Sequence, residues 1–214
     1  MDHDELSTPG TGERLLATAA SLFRRRGYAG AGTRELAGLL GIRSASLYHH
    51  MGSKEDLLHR LSVEALVHIH EQVTRAVAEP AAPPERLRAL IRAHVVTALA
   101  DQDEHAVMLM ELRALSGERR AEVLALRDRY ESLVRQVIAD AQDCGALRRD
   151  IAPKHLALGL LNLLNWSIFW YQPGRDLSVE GLAELFATTF LEGALPRAER
   201  TRQPAQPEPK GRTA

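Results

Sequence analysis

Apolar residues recur every three to four positions along most of this chain, and alternating β-branched runs are almost absent, so the pattern predicts an all-α fold. A first helix is predicted to start after Thr11, with Glu13 in its first turn. It places Leu15, Leu16, Ala19, Leu22 and Phe23 on one face and ends at Gly27, where a glycine can take a left-handed cap. Two short helices follow, at about Thr33–Leu40 and Ser44–His50, with a turn at Gly41; neither is long enough to stand alone, so both must pack on the first. Ser53, with Asp56 three residues on, has the spacing of a capping box and opens a long fourth helix to about Glu79. Pro80, Pro83 and Pro84 end that helix and mark the passage from a small head to a larger body. Five more helices are predicted at roughly 84–100, 102–115, 118–144, 153–171 and 178–194, separated by Gly117, by Gly145 and Pro153, and by Pro173-Gly174. From Pro196 onward four prolines and almost no apolar residues predict a disordered tail at 196–214, matched by a flexible N-terminus at 1–12.

Charge changes this picture more than composition does. The chain has 214 residues, 45% hydrophobic and 26% charged, an ordinary globular profile. Its net charge of −1 hides an asymmetry: residues 14–60 carry eight Lys/Arg against three acids, residues 61–195 fourteen against nineteen. A basic head on an acidic body points to a polyanion as the partner of the head alone. The apolar run Leu156–Leu164 is shorter than a membrane span and is broken by Asn162, and Met1–Glu5 is acidic, so a cytoplasmic protein without a signal peptide or membrane contact is expected. The single cysteine, Cys144, is expected to be a small, partly buried thiol.

The stretch Thr33–His50 carries the chemistry. Leu36, Ala37 and Leu40 share one helical face, Ile42 follows the turn, and Leu47 points inward from the second short helix. Small Ala37 lets the helices cross closely and Gly41 supplies the tight turn, as a helix-turn-helix requires. Arg43, Ser44, Ala45, Ser46, Tyr48 and His49 are then left facing outward, compact at the N-terminal end and hydrogen-bonding further along, which suits entry into the major groove of DNA. Ser44, Ala45 and Ser46 can approach base edges, and Arg43 can reach a guanine or a phosphate. Thr33, Arg34, Tyr48, His49 and Lys54 suit phosphate oxygens, Thr33 and Lys54 lying near helix N-termini that favour anions. His50 is expected to face the fourth helix.

Phe23-Arg-Arg-Arg-Gly-Tyr28, Thr33-Arg-Glu-Leu-Ala37, Gly41-Ile42, Ser46-Leu-Tyr-His-His50 and Ser53-Lys-Glu-Asp-Leu-Leu58 together resemble the N-terminal domain of TetR-family repressors. The resemblance implies a helix-turn-helix DNA-binding domain at 13–60, a helical ligand-binding and dimerisation domain at 61–195, and a homodimer on palindromic double-stranded operator DNA. Two positions depart from the family pattern. Gly32 stands where Thr or Ser usually caps the second helix, and Met51-Gly52 stand where an aromatic and then a proline are usual, which implies a looser hinge into the fourth helix.

In the body the helix at 153–171 is apolar nearly all round and the last helix offers Leu182, Leu185, Phe186, Phe190 and Leu191, a pairing that suggests a four-helix dimer seam. Asn162, Trp166 and Trp170 recur every four residues and Asn165 lies beside them. A buried amide needs a partner, which can be an effector or a neighbouring helix. Arg113, predicted in the sixth helix beside Met108, Met110 and Leu112, can neutralise an acidic effector or pair with Glu111 or Asp128. The segment from Asn165-Trp-Ser-Ile-Phe-Trp-Tyr-Gln-Pro-Gly174 to Phe190-Leu-Glu-Gly193 is similar to the C-terminal ends of a TetR branch that responds to acyl-CoA thioesters of lipid, sterol or aromatic-acid catabolism. That similarity implies an acyl-CoA effector and no other cofactor; the alternative is an uncharged or cationic lipophile acting on an efflux or antibiotic-response gene.

Other classes find little support in these residues. No nucleophile–base pair, phosphate-cradling glycine loop or metal-ligand cluster stands out, so neither an enzyme nor a metal site is expected. Glu64, His68 and Glu71 share a helical face, but His68 and His70 point apart.

Overall fold

Ser53 and Asp56 close the capping box their spacing predicts. The Ser53 Oγ accepts from the Asp56 N–H at 3.0 Å and the Asp56 carboxylate accepts from the Ser53 N–H at 2.9 Å. The computed structural model describes residues 11–79 and 81–192, apart from the side chains of Thr11 and His50. Expectations for the tail, for the first ten residues and for His50 lie outside the described residues. Among those residues the elements are α1 (Thr11–Gly30), α2 (Thr33–Leu40), α3 (Ser44–Met51), α4 (Lys54–Ala78), α5 (Pro83–Ala100), α6 (Gln102–Met110), a 3-10 turn (Leu112–Ala114), α7 (Gly117–Asp143), α8 (Pro153–Trp170) and α9 (Val179–Glu192). The expected all-α architecture of a helix-turn-helix head on a helical body is the one observed.

In the head, Leu22, Phe23, Leu36, Leu47, Leu57 and Leu58 are almost wholly buried and join α1 to α4 in one apolar cluster. Gly41 takes the left-handed conformation (φ 69°, ψ 26°), and its N–H and that of Ile42 return to the end of α2. Gly27 differs from expectation. Its φ of 70° is positive but its ψ of 157° is extended, so it kinks α1 and the chain resumes helix through Gly30. The hinge also differs: Met51 is buried, and Gly52 sits at φ 67°, ψ −112°, a region only glycine enters easily. A Cβ there would stand 2.9 Å from the Asp56 carboxylate, so the hinge is built for a glycine rather than left slack.

The apolar cluster of the head runs on through Leu61 and Leu66 of α4 to Val107 and Met108 of α6 and Val123 of α7. A second cluster packs α5 (Leu87, Leu90, Ile91, Val95) against α7 (Val134, Ile138), α8 (Leu160, Leu164, Ile168) and α9 (Leu182, Phe186). Leu160, Leu164 and Ile168 face this core while Leu158, Trp166, Phe169 and Trp170 lie exposed, with Leu185 of α9. The predicted helix at 102–115 stops at Met110, and Leu112–Ala114 form a 3-10 turn instead. Both conformations nearly repeat the same apolar period, so the pattern alone could not separate them. Cys144 is exposed rather than partly buried, because it caps α7 at the surface, where its thiol leans on the Ala141 carbonyl at 3.3 Å.

Candidate functional site

Because Leu47 is sealed in the core of the head, the opposite face of this segment turns outward, and Arg43, Ser44, Ala45, Ser46, Tyr48 and His49 are all exposed. Thr33, half-buried at the start of α2, places its Oγ1 3.0 Å from the Tyr48 hydroxyl, which ties the two short helices together at the outer surface; Arg34 beside it is exposed. Gly32 gives α2 no side-chain cap, leaving its first N–H groups available to an anion. Lys54 is placed differently. Its Nζ donates to the Tyr28 carbonyl and lies 4.4 Å from the Tyr28 ring centroid, and burial lowers its pKa. That ammonium fastens α4 to the end of α1 rather than facing outward.

A polar seam joins this head to the body. Arg24 of α1 pairs with Asp103 of α6 at 2.7 Å and donates to the Ile168 carbonyl of α8 at 3.0 Å. The Tyr28 N–H donates to Glu111 at 3.0 Å, just past α6. From α4, Glu55 accepts from the N–H and hydroxyl of Ser116, both at 2.9 Å, bonds that hold its carboxyl below the usual range. Asp56 pairs with Arg119, and with the Ser53 bonds foremost its pKa falls to about 2.

On the far side of α6 lies a cavity of about 220 Å³ between α4, α5, α7 and α8. Its apolar wall includes Met108, Leu109, Leu158 and Leu161, and its polar groups include His94, His105, Arg127, Tyr130, Asn162 and Asn165. His94 Nδ1 meets the Tyr130 hydroxyl at 2.7 Å, and burial, ahead of the neighbouring His105, pushes the His94 pKa down to about 3. Burial also lowers the pKa of His105 and of Arg127, which forms no ion pair among the described residues.

Of the residues expected to bind an effector, Asn162 and Asn165 line this cavity, and the others do not. Arg113 is exposed in the 3-10 turn rather than in α6. Trp166 and Trp170 are exposed on another side of α8, where Trp166 packs on Phe169 at 4.8 Å and Trp170 on Phe186 at 6.3 Å. The cation in the wall is Arg127. The residues that sequence reasoning missed, His94, His105, Arg127 and Tyr130, left one signal: His94 continues the apolar stripe of Leu87, Ile91 and Ala98, where a histidine must be buried.

A larger cleft of about 510 Å³ opens between α1, α4 and α6, lined by Glu13, Glu64, Asp101, Glu104 and His68. Its acids repel an anion. No group of three or more His, Cys, Asp or Glu is placed to hold a metal among the described residues, and none of their helices is long and apolar enough to cross a membrane.

Comparison with known proteins reaches both halves. Residues 15–61 match the family described as bacterial regulatory proteins, tetR family, and residues 80–194 match the tetracyclin repressor-like C-terminal domain. The HTH-type transcriptional repressor KstR2 of Rhodococcus jostii is 28% identical over 192 residues, covering 89% of this chain and 94% of that protein. Among solved structures, the TetR-family regulator PfmR from Thermus thermophilus is 33% identical with a TM-score of 0.78, covering 86% of this chain and all of its own. AibR, solved in complex with isovaleryl coenzyme A and operator DNA, is 30% identical with a TM-score of 0.77, covering 85% of this chain and 98% of its own. Helix order, the outward face of α3 and the sequence of both domains converge, and this chain belongs to the TetR family of DNA-binding transcriptional repressors.

Proposed function

We propose that this chain represses transcription as a homodimer on palindromic operator DNA and lets go when an acyl-CoA enters the cavity behind α6. The observation that carries this reading is the double duty of α6. His105 and Met108 wall the cavity, while Asp103 on the same helix, and Glu111 just beyond it, hold Arg24 and Tyr28 of the head. An effector that displaces α6 therefore acts on the helix against which the reading head is packed.

In this arrangement Ser44, Ala45 and Ser46 meet base edges, Arg43 a guanine or phosphate, and Thr33, Arg34, Tyr48 and His49 the phosphates. Lys54 keeps to its place under Tyr28. The exposed apolar residues of α8 and α9 form the dimer seam, which sets the two α3 helices about 34–36 Å apart on successive major grooves. Arg127 in the cavity wall, which forms no ion pair among the described residues, supports an anionic thioester, and Glu131 is the one acid that shares that wall. A cationic lipophile would be drawn instead to the acidic cleft beside α1.

Fluorescence anisotropy on labelled palindromic DNA, with native mass spectrometry across a panel of acyl-CoAs and one cationic dye, tests the reading. An acyl-CoA that binds the free protein is expected to weaken operator binding by roughly 5- to 150-fold, the range of typical coupling energies. Arg24→Ala is expected to keep both binding events and lose most of that coupling. Release by the dye alone would replace the acyl-CoA reading with the cationic one. Tyr48→Ala is expected to weaken all DNA sequences alike, by about 1 kcal/mol, and Ser46 substitutions to change sequence preference instead.

A further inference from the structure

Two buried imidazoles in the cavity each keep a ring nitrogen without a hydrogen-bond partner: His94 Nε2 and His105 Nε2. Orphaned polar atoms at such depth are rare and call for an explanation. The proton on each ring follows from its other nitrogen. His105 Nδ1 lies 3.2 Å from the Asp101 carbonyl oxygen, which can only accept, so Nδ1 bears the proton. Burial holds that ring neutral, and its Nε2 is a bare acceptor. The Tyr130 hydroxyl, also buried, has no other hydrogen-bond partner among the described residues, so its O–H donates to His94 Nδ1 at 2.7 Å. His94 Nδ1 therefore accepts, and the neutral ring carries its proton on Nε2, with the Asn165 side chain of α8 bearing on the same ring.

Among the polar groups of this wall, the two imidazoles thus add one donor and one acceptor beside the apolar Met108, Leu109 and Leu161. We propose that it recognises a hydroxyl group on an otherwise apolar part of the effector, the oxygen accepting from His94 Nε2–H and the O–H donating to His105 Nε2. This rests on the cavity being the effector site. A ketone in the same place satisfies only His94, and a hydrocarbon satisfies neither, leaving desolvated groups unpaired. A water could satisfy both nitrogens, but the cavity, at about 220 Å³, is many times the roughly 10–15 Å³ one water needs, so space remains for an apolar body against Met108, Leu109 and Leu161. Since His105 is two residues from Asp103, the bond to this hydroxyl pulls on the helix that holds Arg24.

Full-length protein labelled at the histidine nitrogens, titrated by NMR with cyclohexanol and with cyclohexanone, tests the proposal. Before addition, His105 is expected as the Nδ1–H tautomer and His94 as the Nε2–H tautomer. Cyclohexanol is expected to bind at least tenfold more tightly than cyclohexanone and to shift the His105 Nε2 resonance. His105→Leu is expected to reduce the preference to about twofold or less. His105→Gln, which keeps an acceptor, is expected to retain part of the preference and serves if the leucine variant does not fold. Equal binding of alcohol and ketone overturns the hydroxyl reading while leaving the cavity as the effector site. Binding of neither overturns the hydroxyl reading, the acyl-CoA panel deciding separately on the cavity, and a proton on His105 Nε2 in the free protein overturns the hydroxyl reading alone.

Discussion

Lowering the pH from 7 to 5 is expected to cost this protein about 2 kcal/mol of stability through His94 alone. The folded-state pKa of about 3 lies below the ordinary 6.5, because burial beside His105 opposes the charged ring. Between those values the unfolded chain takes up a proton that the folded chain refuses. The contribution is intact above pH 6.5 and is lost as the pH falls through that window. His105, lowered by the same burial, adds in the same direction. Glu104 opposes them: burial raises its pKa, so the folded protein binds a proton above 4.5 that the unfolded chain does not, and acid stabilises on that count. Asp56, down at about 2, enters only below 3.8. Urea midpoints at the two pH values should separate in the wild type and draw together in His94→Gln. A midpoint that moves with pH equally in the wild type and in His94→Gln would mean that the histidine is not shielded from water.

Leu47→Ala is expected to remove about 2–5 kcal/mol and to abolish operator binding while leaving effector binding in place. Leu47 is 0% exposed, and α3, at eight residues, has no stability of its own, so this side chain is what holds the reading surface in position. The cavity behind α6 draws its walls from α4 to α8 and none from α3. Anisotropy on operator DNA and native mass spectrometry on acyl-CoA should therefore part company in this variant. Retained operator affinity would show that the groove is entered by another surface.

How well each feature could be read from sequence follows from its range. The capping box of Ser53 and Asp56, the Gly41 turn and the inward Leu47 depend on residues a few positions apart, so local pattern specified them. Boundaries were harder where two conformations share a period, as at Met110, or where a glycine leaves the helix by an extended rather than a left-handed step, as Gly27 does. In the effector set the two amides of α8 reached the cavity. Its two tryptophans are as apolar as core residues and share the helix, yet rotation of α8 against α5 and α7 turned them outward.

Helix content, the reading head and its outward side chains were therefore set by the chain itself, because propensity, capping and apolar period act within a few residues. Only the tertiary structure decided which helices enclose the cavity and which charges close the seam, since Arg24 and Asp103 stand 79 positions apart and Tyr28 and Glu111 83. Pairings at that distance leave no periodic trace. They exist because packing two apolar clusters around a shared α6 brings polar groups together at its edges, and burial then fixes their protons.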